Sequence, residues 1–338
     1  MADSTNSTNR PLIVTLTPVC NEGHLLRAFL TAVCSWSDRV ILCFQNCTDN
    51  SISTAQEFPQ VTMMYNPDPQ MDMSHARAML FDEADKIMQD KIVFAIDADE
   101  FLSEGFTETS GWQTIMQSHP NTVFSFQWIN LYYDFSHHLP CAGQYHEFAI
   151  HPQPGMPIAP IYRQVETRPV HESRVPCLSD YTYMQVDDIF FVHLGQINAQ
   201  RNADKQCFYQ VQTVARLQSR ISAIALYRNY HPQPFVRPLK NEVRICTADG
   251  ISVVDKIIPP PGNSNHYTQQ TLQILQQYGV APFINLDIWD NPSIANAHLT
   301  PTRNTWQKLL AFYLRLSQPI HQTLVVRAID KMLKLFTL

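Results

Sequence analysis

Three carboxylates crowd into four positions, Asp97, Asp99 and Glu100, directly after the apolar run Lys91-Ile92-Val93-Phe94-Ala95-Ile96. The run reads as a buried strand. Side chains two apart on a strand share a face, so Asp97 and Asp99 are expected to point the same way, about 6–7 Å apart at Cα. In an open α/β sheet, ligands bind at the carboxyl ends of strands. Two acids on one face there either form an inert, solvated turn or hold a cation. A hard divalent ion, Mg²⁺ or Mn²⁺, shared with a diphosphate, suits such an oxygen set. A second residue of this kind is His193, which ends the apolar strand Phe190-Phe191-Val192 and is either a metal ligand or a hydrogen-bonded edge residue. A third is Arg77, at a helix start where main-chain N–H groups favour anions. It either binds a phosphate or pairs with Asp82 or Glu83 on its own helix.

The elements that must position these residues alternate. Pro11–Thr17 is a β-branched run followed by the turn Pro18-Val19-Cys20-Asn21-Glu22-Gly23, and Leu25, Leu26, Phe29, Leu30 and Val33 then keep helical spacing. Strands are expected at 39–44 and 61–65, with a short helix from Ser51 to about Phe58 and a longer one at 75–89. Strand, helix, strand in this order predicts a mostly parallel, doubly wound sheet. Beyond Phe101 the pattern loosens: a helix near 112–116, an aromatic strand at 123–133, a Pro- and His-rich stretch at 134–180, a strand at 188–194 and a helix at 199–226. Helices are also expected at 268–278, 302–316 and 322–335.

Composition narrows the class. The chain has 338 residues, 45% hydrophobic and 16% charged, with a formal net charge of −6. A core is affordable, and the basic footprint of a general nucleic-acid binder is missing. The eight cysteines are scattered and read as reduced thiols, with no zinc spacing. Residues 1–10 are polar and expected to be a disordered tail without a secretion signal. No run of 18 apolar residues suggests a membrane span.

Four features resemble, in order, the inverting family 2 glycosyltransferases of GT-A fold: Thr17-Pro18-Val19-Cys20-Asn21-Glu22, Asn46-Cys47-Thr48-Asp49-Asn50-Ser51, His75-Ala76-Arg77, and Asp97-Ala98-Asp99-Glu100. The likeness covers residues 11–105 well. It continues thinly through Val170-His171-Glu172, through His193-Leu194-Gly195, and through Lys205 with Tyr209. It implies a GT-A, Rossmann-like mixed sheet, mostly parallel, flanked by helices. Residues 11–228 would form the transferase domain, with a nucleotide-sugar half at 11–105 and an acceptor half at 106–228. A mainly helical extension would follow at 229–338.

The resemblance also implies site roles. Pro18, Asn21, Glu22, Gln45, Asn46, Asp49, Arg77 and Asp97 would bind the donor, and Asp99, Asp97 and His193 would hold Mn²⁺ or Mg²⁺. Glu172 would be the base that takes the acceptor proton, with His171 its rival and Glu100 third; Glu147 and Glu166 lie in the same region. The family's usual Asp at the end of the second strand is replaced by Gln45 and Asn46, which leaves the donor base open. Trp128, Tyr132 and Phe135 read either as acceptor lining or as core.

The expected activity is metal-dependent, inverting transfer from a nucleotide-diphosphate sugar to a glycan, lipid-linked or protein hydroxyl. No nucleic-acid partner is expected. The protein would be cytoplasmic, with the C-terminal helix either docked or touching the inner face of a membrane. A catalytically inactive nucleotide-sugar-binding module and a sugar nucleotidyltransferase are the alternatives. A haloacid dehalogenase-type phosphatase fits less well, because it wants Thr or Val where Phe101 stands.

Overall fold

A computed structural model describes residues 10–68, 73–139, 145–164, 174–176, 178–217, 222–230, 237–239, 243–246, 266–299 and 301–334. The candidate bases His171 and Glu172, and Glu166, lie outside the described residues, as does most of the 1–10 tail. The chain packs as two compact units, one of Met1–Leu131, Cys141–Gly195 and Leu239–Pro259, the other of Tyr132–Pro140, Gln196–Pro238 and Pro260–Leu338. This division by packing runs differently from the sequence boundary at 228/229.

The first unit holds β1 (Leu12–Val19), α1 (Gly23–Val33), β2 (Arg39–Gln45), α2 (Ser51–Ala55), β3 (Val61–Asn66), α3 (Met73–Asp85), β4 (Lys91–Ala95), β5 (Glu100–Leu102), α4 (Ser110–Met116) and β6 (Thr122–Asn130). After β7 (His137–His138), which pairs within the second unit, the first unit resumes with β8 (Tyr145–His151), α5 (Ala159–Gln164) and β9 (Thr182–His193). Its eight strands form one sheet in the order β3-β2-β1-β4-β8-β6-β9-β5. The first four are parallel, β8 runs antiparallel to β4 and β6, β9 is parallel to β6, and β5 is antiparallel to β9. With flanking helices and a helical C-terminal region, this is the expected GT-A, Rossmann-like architecture.

Near-continuous apolar runs in β1, β2 and β4 follow from burial on both faces. One face packs Val14, Leu16, Ile41, Val93 and Ala95 against Leu80, Phe81 and Ala84 of α3. The alternate residue Phe94 turns to the other face, where it meets Trp36 edge-on at 5.3 Å and Phe126 at 6.1 Å. Strand β9 starts six residues before the expected 188, in step with Thr122–Phe126 of β6.

In the second unit, the helix expected at 199–226 is two helices, α6 (Ala199–Leu217) and α7 (Ala223–Tyr230). Cys207, Val211, Val214 and Leu226 pack there with Leu275 of the helix His266–Tyr278 and with Phe283, Leu286 and Trp289. The helices Thr305–Ser317 and Leu324–Leu333 dock through Leu310, Leu314 and Leu333 on Ile224 and Tyr227. Among the described residues no helix is long and apolar enough to cross a membrane.

Candidate active site

Asp97 and Asp99 sit in a turn, not on a strand. Strand β4 stops at Ala95, opposite Leu16, and β5 begins at Glu100. Between them the Glu100 N–H donates to Asp97 O at 3.1 Å, and the Asp97 N–H donates to Glu100 Oε2 at 2.8 Å. Strand alternation therefore does not govern Asp97 and Asp99, and the shared face expected from the sequence is replaced by two separate sets of partners.

Asp97 meets two buried arginines. Arg77 Nη2 donates to its Oδ1 at 2.7 Å, and Arg174 Nη2 lies 3.1 Å from its Oδ2. Arg77 thus pairs with neither Asp82, which takes Arg163, nor Glu83, which takes Lys86. Its Nε has no hydrogen-bond partner among the described residues. Burial acts to raise the Asp97 carboxyl, but Arg174 and Arg77 outweigh it and hold its pKa below the ordinary value.

Arg174 also grips Glu100 with both terminal nitrogens, and its guanidinium lies over the Phe148 ring, 4.8 Å from the centroid. Burial pushes the Glu100 carboxyl up to about 7 against the pull of Arg174. Both Glu100 carboxylate oxygens are engaged and the residue is 1% exposed. Glu147 contributes its carbonyl, which accepts from the Arg174 N–H at 3.0 Å.

Asp99 faces His193 instead. Its Oδ2 stands 3.2 Å from His193 Nε2. The sheet enforces this: His193 is in register with Glu100 of β5 on one side and Asn130 of β6 on the other, and the Leu194 N–H donates to Asp99 O at 2.8 Å. With Asn130 Oδ1 accepting from His193 Nδ1, Nε2 is an acceptor in the neutral imidazole and a donor to Asp99 in the imidazolium. Two acceptors at that distance need a proton or a cation between them. Adjacent corners of an octahedron with bonds of about 2.1 Å are about 3.0 Å apart, so the pair fits two positions of a Mg²⁺ or Mn²⁺ shell. Gly195 completes the cradle, because a Cβ there would stand 2.6 Å from His193 Nε2 and 2.8 Å from Asp99 Oδ2. The Trp128 ring lies 4.9 Å from the His193 ring and 5.4 Å from that of His146.

The expected metal trio is thus divided: Asp99 and His193 meet, while Asp97 is taken by arginines. Among the described residues no group of three or more His, Cys, Asp or Glu is placed to hold a metal. His151 contacts Ser118 and Asp90, and His137 contacts Asp134. Tyr132 is buried and stacked on Tyr133 at 3.9 Å in the second unit. There Lys205 lies over the Tyr209 and Tyr267 rings.

The expected donor-binding residues of β1 and β2 form one knot. Asn21, at φ +56°, accepts through Oδ1 from the N–H groups of Thr48 at 2.7 Å and Asp49 at 3.2 Å. Asp49 accepts from the Gly23 N–H at 2.8 Å and the Ser51 N–H at 3.0 Å, and Ser51 Oγ accepts from the Glu22 N–H at 3.0 Å. Asn46 is left-handed too, at φ +45°, and its Nδ2 donates to Asp68 O at 3.2 Å. Gln45 is buried at the end of β2, opposite Asn66, and Pro18 lies within β1 opposite Cys43.

Sequence reasoning missed Arg174 and Asn130. Neither belongs to a local motif, and each finds its partner only through the sheet.

No protein-family model matches the chain, and no curated protein does. Among solved structures it is similar to S. aureus TarS 1-349, at 10% identity and a TM-score of 0.35 over 96% of this chain and 92% of that one. It is also similar to 4-diphosphocytidyl-2C-methyl-D-erythritol synthase, at 9% identity and 0.35 over 53% of this chain and 90% of the other. A third is glucosyl-3-phosphoglycerate synthase from Mycobacterium tuberculosis in complex with Mn²⁺, uridine diphosphate and phosphoglyceric acid, at 15% identity and 0.26. That alignment covers 36% of this chain and 43% of the synthase, so less than half of that relative is spanned. At these scores none of the three bears on the chemistry of this chain.

Proposed function

We propose that the chain is a glycosyltransferase that moves a sugar from a nucleotide-diphosphate donor to an acceptor hydroxyl, with a divalent cation at Asp99 and His193. The observation that carries this reading is the Asp99–His193 pair, 3.2 Å apart beneath a glycine whose Cβ would block it, at the carboxyl end of the central parallel strands. Mn²⁺ or Mg²⁺ bound there supplies charge neutralisation for a departing diphosphate.

The protein's own groups do the rest. Asn130 fixes the imidazole so that Nε2 points at Asp99. Asp97 and Glu100 hold two guanidinium groups in the wall of the site, whose positive charge favours a phosphate. The knotted turns at 21–23 and 46–51 shape the donor side, with Gln45 and Asn46 at the end of β2 in place of an acidic residue for the base. Trp128 offers an apolar ring for a sugar face. Glu172, two residues from Arg174 in the chain, is the proposed base, with His171 its rival; attack from the face opposite the diphosphate inverts configuration.

The test is donor hydrolysis and transfer across a panel of nucleotide sugars with Mn²⁺. Asp99→Ala is expected to cut turnover by about 10²–10³-fold while the melting temperature holds. Turnover that survives Asp99→Ala in the folded protein overturns the metal assignment. Failure of every nucleotide sugar to react or bind overturns the transferase reading.

A further inference from the structure

We infer that the helices Thr305–Ser317 and Leu324–Leu333 form a docking surface for an anionic lipid bilayer. Both helices are apolar on two sides. Their inner sides are buried in the second unit through Leu310, Leu314 and Val326. Their outer sides carry Leu309, Phe312, Leu316, Leu324, Val325 and Met332, each between 56% and 82% exposed. Scattered exposed leucines are ordinary, but exposed apolar residues repeated along one side of each helix mark an interaction surface. On the first helix Leu309, Phe312 and Leu316 recur at i, i+3 and i+7; on the second Leu324, Val325 and Met332 recur at i, i+1 and i+8.

Charge decides the partner. From 301 to 338 the chain has six Lys and Arg against a single acid, Asp330, although its overall net charge is −6. Asp330 is buried and neutralised by Arg228. Arg303 and Arg315 are spent on Asp287 and Asp290. Lys308, Arg327, Lys331 and Lys334 have no acidic partner among the described residues. An apolar stripe flanked by unpaired cations matches phospholipid headgroups over an acyl boundary. A two-fold pairing of two copies through the same face would instead set these cations against each other. The helices are too short to span a bilayer, so the contact is interfacial. It does not depend on the transfer chemistry proposed above.

The experiment is co-sedimentation of the full chain with phosphatidylcholine vesicles, with and without phosphatidylglycerol. Binding to the anionic vesicles is expected to be at least about tenfold tighter and to weaken at high salt. Leu309→Glu with Phe312→Glu is expected to abolish it, and Lys331→Glu with Lys334→Glu to weaken it about tenfold, both with unchanged melting temperature and unchanged donor hydrolysis. Equal binding to both vesicle types, or none by the folded chain, overturns the inference. So does a dimer in analytical ultracentrifugation that the apolar-to-glutamate pair dissociates without any vesicle binding.

Discussion

The turns after β1 and β2 and the turn after β4 use the same residue types, Asp, Asn and Glu, for opposite ends. In the first region the Asn21 and Asp49 side chains are spent mainly on main chain: Asn21 on two N–H groups of the neighbouring turn, Asp49 on Gly23 and Ser51. In the second the acids face charged side chains. Asp97 and Glu100 share Arg174, and Asp99 meets a histidine whose second nitrogen is already committed to Asn130. The first arrangement fixes a backbone path. The second concentrates charge and brings Asp99 Oδ2 and His193 Nε2 to one point. A polar cluster is a candidate for chemistry when its side chains answer to each other, and for architecture when they answer to the backbone.

The largest effect that would test this contrast is on stability, at Arg174. Arg174→Met strips the shared cation from two buried carboxylates, and loss of one partner from a buried pair costs about 3–5 kcal/mol. Urea denaturation should show that loss, and adding Glu100→Gln should recover part of it. A cost under about 1 kcal/mol would mean the acids are solvated and the second region is no more than a surface turn.

Next comes Gly195→Ala. The φ of Gly195 is not in the left-handed region, so alanine carries no backbone penalty there. Its methyl group would press on His193 Nε2 and Asp99 Oδ2. Turnover should fall about 10–100-fold, with a higher Mn²⁺ requirement. A wild-type metal titration would show that no cation sits between those two atoms.

The parallel half of the sheet was legible in the sequence because burial on both faces writes itself as unbroken apolar runs in β1, β2 and β4. The acid cluster was legible as composition but not as geometry. Strand alternation puts Asp97 and Asp99 on a common face, but the strand ends at Ala95, two residues too soon for that. His193 and Gly195 were marked by a short motif at the end of an apolar strand. Arg174 and Asn130 were silent, since one partner lies 74 residues away and the other 63. Nothing local distinguishes an arginine that closes a buried network from one on the surface. The break between α6 and α7 was also hidden, because the apolar spacing carries on past it.

The last test belongs to the first region, and it separates the two regions most sharply. Asn21→Ala removes the acceptor of the Thr48 and Asp49 N–H groups, about 1–3 kcal/mol where such groups stay buried. It also places alanine at φ +56°, at a cost of about 1–2 kcal/mol. Asn21→Gly relieves the backbone but not the lost acceptor, so it should fall between alanine and the native residue. Asn21→Asp keeps an oxygen acceptor and a side chain tolerant of the left-handed region, and should restore most of the stability. If the turn acts on the donor only by holding its own shape, KM for the nucleotide sugar should follow the melting temperature across these three variants. A native melting temperature with a KM raised about tenfold in Asn21→Asp would put the amide in contact with the donor, and the first region would then carry chemistry as well as architecture.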